Sequence, residues 1–201
     1  MRKEKEKMLA GEPHFAGDAV LFMDRERAHE ICERLNASIS WNARRQTLVR
    51  ELFGECGEWV GVQPPFFCDY GYNIKVGSGV FMNFNCVILD SAEVRIGDNV
   101  LLGPGVHIYA ASHPLDHAER ASGLIKAKAI EIGADVWIGG HTVICPGVKI
   151  GERSVIGAGS VVTHDIPPDV LAVGSPCRVI RRLCEADKNA EAMMPLRPPG
   201  A

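Results

Sequence analysis

Residues 132–162 read IGADVW-IGGHTV-ICPGVK-IGERSV-IGAGSV-V, and the spacing inside this stretch decides the fold. Ile132, Ile138, Ile144, Ile150, Ile156 and Val162 recur at steps of six without exception. A glycine follows four of them directly, at Gly133, Gly139, Gly151 and Gly157. Four places after each of the first five stands a small or β-branched residue: Val136, Thr142, Val148, Ser154 and Ser160. A fixed short period means stacked units, none of which buries its apolar face alone. Six residues suffice for one flat strand and a corner, so three units make one triangular turn. The aliphatic residue then fills the interior and the small residue fits the corner. Glycine beside the aliphatic is expected to ease the backbone turn. A β-sandwich would instead alternate at period two with irregular turn spacing.

Working outward, the same register appears at Ile96-Gly97, Leu102-Gly103 and Ile108, and earlier at Val76-Gly77, Met82, Ile88 and Val94. A two-residue slip separates Val94 from Ile96. Between Ile108 and Ile132 the register would fall on Pro114, Arg120 and Lys126, none of which fills an apolar interior. Residues 110–129 are therefore expected to be a loop thrown out from the coil, carrying His113 and His117. Loops on rigid scaffolds are frequent carriers of function.

Upstream of about Val60 the pattern changes to helical spacing. Asp18 is placed to start one helix, with Leu21, Ala28, Ile31, Cys32 and Leu35 on its inner face. A second helix is expected from about Asn42 to Phe53, ended by Gly54 or Gly57. The expected organisation is a helical segment over 1–60, a coil over 61–175 and a C-terminal segment and tail over 176–201.

Composition narrows the function classes. A chain of 201 residues, 46% hydrophobic and 23% charged, fits one globular domain. Its net charge of −3 gives no reason to expect nucleic acid or an anionic membrane. The start, Met1 to Lys7, is charged and lacks a signal peptide's apolar core, and no apolar run approaches the ~18–20 residues of a spanning helix. Seven cysteines without a CxxC pair read as buried reduced thiols, and the cytoplasm is the expected compartment. Asn36-Ala37-Ser38 matches a glycosylation acceptor, which a chain without an export signal would not use.

An ordered set of motifs then adds to the repeat. It comprises Met8-Leu9-Ala10-Gly11-Glu12-Pro13, Pro64-Pro65-Phe66 with Asp69-Tyr70-Gly71, Asn83-Phe84-Asn85-Cys86, Ser112-His113-Pro114, Val136-Trp137-Ile138-Gly139-Gly140, and Gly174-Ser175-Pro176-Cys177-Arg178-Val179-Ile180. Together they resemble the maltose and galactoside O-acetyltransferases and the related nodulation acetyltransferase, within the hexapeptide-repeat acyltransferases. The resemblance implies an all-β, left-handed parallel β-helix with an N-terminal helical segment and an extruded loop. It further implies acetyl transfer from acetyl-CoA to a hydroxyl of a small sugar-like acceptor, no metal, and a homotrimer with active sites between subunits.

The residues suit that chemistry. A hydroxyl attacking a thioester needs a base, and histidine's ordinary pKa lies near neutral pH. The family's catalytic histidine sits in the motif carrying His113. The resemblance places Asp18, Asp69 and Asn83 in the acceptor pocket, with Asp90 near a further acidic position whose contact residue aligns with Ser91. Asp18 also reads as a helix cap, and Asn83 or a backbone amide is suited to meet an oxyanion. For the coenzyme, Trp137 would wall the channel and Gly140 and Ala158 would line the pantetheine arm. Thr163 and His164 match a Thr-Lys pair, and Arg178 and Arg181 match a basic pair suited to phosphates. The segment Gly123-Leu124-Ile125-Lys126-Ala127-Lys128-Ala129 departs from its relatives, so the acceptor need be neither maltose nor a galactoside. Two other classes fit a coil of this kind: a metal-dependent hydratase of the γ-carbonic-anhydrase type, using His113 and His117 with His107 or His141, and a non-catalytic trimeric binding scaffold.

Overall fold

A computed structural model of the protein describes residues 2–38, 43–185 and 187. The repeat region is a three-faced parallel β-helix of about six turns. The first face stacks Glu55–Cys56, Ile74–Val76, Val94–Ile96, Ile130–Ile132 and Lys149–Ile150. The second stacks Gly61–Val62, Phe81–Met82, Leu101–Leu102, Trp137–Ile138, Val155–Ile156 and Val170–Val173. The third stacks Phe66–Cys68, Cys86–Leu89, His107–Tyr109, Val143–Ile144 and Val161–Val162. The coil thus begins at Glu55, ahead of the boundary at 61 read from composition. It closes with Arg178–Arg182, which turns back antiparallel onto the second face.

The inward column of the second face shows why six is the period. Val62, Met82, Leu102, Ile138, Ile156 and Ala172 stand in register, each 0–1% exposed. Burying each large aliphatic side chain contributes roughly 1.5–3 kcal/mol. Outward residues divide the faces. On the first face they are Glu55, Lys75, Arg95, Glu131 and Lys149, linked as Lys75–Glu55 (3.0 Å), Lys75–Glu93 (2.8 Å), Arg95–Glu93 (2.9 Å) and Lys149–Glu131 (3.4 Å). On the third face the outward column is Phe67, Val87, His107, Val143 and Val161. On the second it includes Phe81, Leu101, Trp137, Val155 and Leu171.

The corners correct one expectation. The glycine directly after the aliphatic residue has an ordinary backbone. Left-handed residues stand two places later, at Asn85, Asn99, Asp135, His141 and Arg153 (φ 57–62°) and at Gly79, Gly105, Gly147 and Gly159. The glycine beside the aliphatic answers crowding instead. A Cβ on Gly133 would lie 2.6 Å from the Glu152 nitrogen, and one on Gly103 would lie 2.5 Å from the Gly140 nitrogen. The fourth-place residues Val136, Thr142, Val148, Ser154 and Ser160 are buried, and the hydroxyls among them bond corner carbonyls, as Thr142 does to Gly139 (2.8 Å).

Departures from the six-residue step gather at one corner. Equivalent rungs on the first face are 20 residues apart from Cys56 to Val76 and from Val76 to Ile96. They are 36 apart from Ile96 to Ile132, and 18 apart from Ile132 to Ile150. The extra residues enter between the third and first faces. There the two-residue slip lengthens a first-face strand so that both its ends, such as Val94 and Ile96, point inward. The long loop enters at the same vertex.

Three helices precede or flank the coil's opening: α1 (Glu4–Leu9), α2 (Ala19–Asn36) and α3 (Ala43–Leu52). Sequence spacing did not reveal α1, and Asn42, the expected start of α3, lies outside the described residues. Asp18 caps α2 as expected, its Oδ1 accepting from the Val20 and Leu21 amides (3.0 and 3.2 Å). Leu21 joins Met8 and Tyr70 in a small separate cluster. Ala28, Ile31, Cys32 and Leu35 pack with Leu48, Val49 and Leu52 of α3 into the coil's core. Asn36, from the glycosylation-like triplet, exchanges both side-chain bonds with the Phe66 backbone (2.8 and 3.0 Å). All seven cysteines are free thiols, although Cys56 and Cys145 are half-buried and Cys184 is exposed, against the expectation that all are buried. Among the described residues no helix is long and apolar enough to cross a membrane.

Candidate active site

The vertex between the third and first faces gathers polar chemistry from three successive turns: residues 69–73, residues 90–93 and the extruded loop. The loop is a built structure. Strand Ala111–Ser112 pairs antiparallel with Leu124–Ala127, which pairs on its other edge with His14–Phe15 from the N-terminal segment. Between the loop strands runs a short helix α4 (His117–Ala121), capped by Asp116 (2.8 Å to the Glu119 amide). Arg120 on α4 donates to the carbonyls of Pro114 (2.9 Å) and Leu115 (3.1 Å), fixing the turn that follows His113. His113 leaves strand Ala111–Ser112 with its side chain exposed, and His117 is exposed on α4. The pairing with His14–Phe15 escaped sequence reasoning because two residues are too few for any periodicity to register.

Helix α2 lies over the same vertex. Arg25 donates to the Tyr70 hydroxyl (2.8 Å) and the Ala16 carbonyl (2.8 Å), and the Tyr72 hydroxyl donates to Asp24 (3.0 Å). Lys5 of α1 closes the edge, 2.8 Å from Asp24 and over the Tyr72 ring. Asp24, Arg25 and Tyr72 were not singled out by the sequence: the first two are charged residues among many on α2, and Tyr72 follows a coil corner with no spacing to mark it.

Asp69 is half-buried at this vertex. Burial pushes its carboxyl above the ordinary range, while the charges of Arg25 and His29 and a hydrogen bond with Ser91 pull it back. Asp90 is fully buried, and its oxygens are occupied by the main-chain amides of Asp69 (3.1 Å), Tyr70 (2.8 Å) and Asn73 (3.3 Å). Burial, with the nearby Asp69 charge adding to it, raises Asp90 to about 7 against the pull of those amides. The structure therefore gives Asp90 no surface with which to meet an acceptor. Ser91, beside it, is buried too.

A second set of candidates occupies the vertex between the second and third faces. Asn83 is half-buried there and accepts from the Phe84 amide (2.8 Å), which leaves its amide nitrogen as the group able to donate outward. Gly140 and Ala158 stack one above the other at that vertex, and Trp137 stands on the adjoining second face, 54% exposed. Thr163 and His164, bonded to each other (2.9 Å), lie beyond the last third-face strand and so nearer the first vertex. Arg178 and Arg181 are exposed on the closing antiparallel strand. Arg178 bonds the Cys177 carbonyl (2.8 Å), and Arg181 makes a two-pronged pair with Asp187 (2.7 and 2.7 Å). Within one chain, His113 and Asp69 are thus separated from Asn83, Gly140 and Ala158 by the whole third face. Among the described residues no three His, Cys, Asp or Glu side chains gather as an ion-holding group.

Comparison with known proteins bears directly on this geometry. The galactoside O-acetyltransferase of Escherichia coli K12 is 49% identical over 146 residues, covering 73% of this chain and 72% of the relative. The chain belongs to the maltose and galactoside acetyltransferase family. Residues 7–57 match the maltose acetyltransferase hexapeptide capping motif, and residues 129–164 match the six-repeat bacterial transferase hexapeptide. A maltose O-acetyltransferase structure from Clostridium difficile 630 superposes with TM-score 0.89 at 46% identity, covering 92% of this chain and 99% of that one. A hexapeptide-repeat acetyltransferase of Vibrio cholerae O1 biovar eltor, solved with acetyl-coenzyme A, superposes with TM-score 0.86 at 45% identity, over 92% and 100%. For this acetyltransferase-family chain the capping-motif match takes in the end of α1, the His14–Phe15 strand, α2 and α3.

Proposed function

We propose that this chain transfers the acetyl group of acetyl-CoA to a hydroxyl of a small sugar or sugar-like acceptor, in the cytoplasm, as a homotrimer with sites between subunits. The observation that carries the shared site is the division of candidates between two vertices of one coil. His113, Asp69 and Asp18 belong with the loop vertex, and Asn83, Gly140 and Ala158 with the glycine-rich one. Side-by-side packing of three coils brings the first vertex of one subunit to the second vertex of its neighbour. The outer columns support this arrangement. The first face is laced with ion pairs and suits water, whereas the second, and the third apart from His107, present apolar columns that association would cover.

In the reaction, the acceptor's hydroxyl oxygen attacks the thioester carbonyl carbon as His113 takes its proton. The Asn83 amide or a coil amide donates to the developing oxyanion. Collapse breaks the C–S bond, and the imidazolium returns its proton to the departing coenzyme thiolate. Asp69 and Asp18 accept hydrogen bonds from other acceptor hydroxyls, and Arg178 and Arg181 meet coenzyme phosphates, with Thr163 and His164 nearby. The altered wall around Ile125 sets the acceptor's shape.

Two experiments test this reading. His113→Ala should lower kcat by roughly 10²–10⁴-fold with the acetyl-CoA KM little changed, because the proton moves only as the bond forms. His117→Ala should cost far less. Co-expressing His113→Ala with Asn83→Ala chains should then restore activity to about one quarter of the wild-type level under random mixing, since each shared site draws one residue from each neighbour. A His113→Ala trimer with wild-type kcat removes the base, and no recovery in mixed trimers removes the shared site.

A further inference from the structure

Asp90 is the one carboxylate among the described residues that is wholly buried. Other corner aspartates make similar bonds from exposed positions, as Asp98 does to the Ser78 amide (2.7 Å) and Asp165 to the Lys149 amide (2.8 Å). Asp90 instead makes three, and each lands on the corner of the preceding turn: the amides of Asp69, Tyr70 and Asn73. Its own carbonyl accepts a fourth bond from the Asn73 side chain (2.7 Å). The next residue, Ser91, is 1% exposed, and its hydroxyl helps hold the Asp69 carboxyl down against the push of burial. One turn of the coil therefore grips Asp69 of the turn before it twice, through its main chain and through its side chain. Burying a carboxylate without a cation is costly, and all three amides that offset this cost belong to the Asp69 corner.

We infer that Asp90 and Ser91 are positioning residues that aim the Asp69 carboxylate at the acceptor's hydroxyls, and that neither touches the acceptor. The inference rests on the acceptor role proposed above for Asp69. A fixed carboxylate discriminates between hydroxyl arrangements that a mobile one would satisfy equally. Acceptor choice in this chain is accordingly set one turn away from the contacting atom. Loss of either grip would loosen acceptor binding and leave the coenzyme's side of the reaction as it was.

The test compares Asp69→Asn, Ser91→Ala, Asp90→Asn and the double variant Asp69→Asn/Ser91→Ala. The acceptor is the sugar or simple alcohol that the wild-type enzyme acetylates fastest in a thiol-release screen with acetyl-CoA. Ser91→Ala should raise the acceptor KM roughly tenfold, the worth of one hydrogen bond to a charged group, with kcat and the acetyl-CoA KM within about twofold. Asp90→Asn, which turns a donor toward the Asn73 amide, should do at least as much; Ser91→Ala decides the matter if that variant fails to fold. The double variant should be no worse than Asp69→Asn alone, because Ser91 acts only through Asp69. Additive losses would mean that Ser91 meets the acceptor itself and would overturn the inference. So would an unchanged acceptor KM in Ser91→Ala when Asp69→Asn raises it. An unchanged KM in Asp69→Asn would instead remove Asp69 from the acceptor site, and the inference with it.

Discussion

Replacing Gly133 by alanine tests the reading of the coil's corners. The added Cβ would lie 2.6 Å from the Glu152 nitrogen and 2.8 Å from its Cα, where ordinary contact begins near 3.4 Å. The neighbouring turn must move by about 0.8 Å, and what must move is backbone rather than a pliable side chain. That backbone is tied on both sides, by the Gly133 amide to the Ile150 carbonyl and the Arg153 amide to the Ala134 carbonyl, each 2.8 Å. Straining or losing these two bonds costs about 1 kcal/mol each, and the overpacking adds roughly 1–3 kcal/mol. Lower entropy of the unfolded chain returns about 0.4–1 kcal/mol. The net expectation is a loss of about 2–5 kcal/mol. Gly159→Ala is the control. Nothing lies within 4 Å of its Cβ, but its φ is +70°, so only the left-handed penalty of about 1–2 kcal/mol applies. Urea unfolding at one fixed protein concentration measures both. A Gly133→Ala protein as stable as wild type, or less damaged than Gly159→Ala, would refute the crowding argument.

Further outcomes follow from the same structure. Ile138→Ala, in the fully buried second-face column, should lose about 2–5 kcal/mol and Ile138→Val about 1 kcal/mol, read from the same urea curves. Arg178→Ala should raise the acetyl-CoA KM about tenfold, and Arg181→Ala should raise it less because Asp187 already engages that guanidinium; acceptor KM should hold in both steady-state assays. Asp90 makes stability depend on pH. Its folded value of about 7 exceeds the unfolded 3.8, so the folded state holds the proton more tightly and stability falls as pH rises from about 4 to about 7. Thermal melts across that window should show the decline, and Asp90→Asn should flatten it.

Most of the coil was legible because one physical requirement, an apolar residue at each interior rung, repeats often enough to stand out. Ile132 to Val162 announced their own faces. The role of Gly133 was misread because glycine serves both positive φ and close approach, and sequence does not separate the two. The left-handed places went unnoticed since asparagine, aspartate, histidine and arginine share them with glycine. For the site, His113 stood out by interrupting a strict repeat, whereas Asp90 was expected at an acceptor and is found fully buried against main-chain amides. An aspartate's letter carries no record of how deeply it is buried. Arg25 meets Tyr70, and Tyr72 meets Asp24, only through folding, across 45 and 48 positions of the chain.

The vertex where extra residues enter has a consequence for how such proteins diversify. Ile96 and Ile132 remain neighbours on the first face although the loop lies between them. The scaffold therefore does not register how long the intervening segment is, so long as it leaves and returns at that corner. Residues 110–129 behave as a cartridge, exchangeable for a segment of another length or composition without recutting the rungs above and below. The joint that limits such a swap is on the far side, where His14–Phe15 must still find a matching edge at Leu124–Ile125.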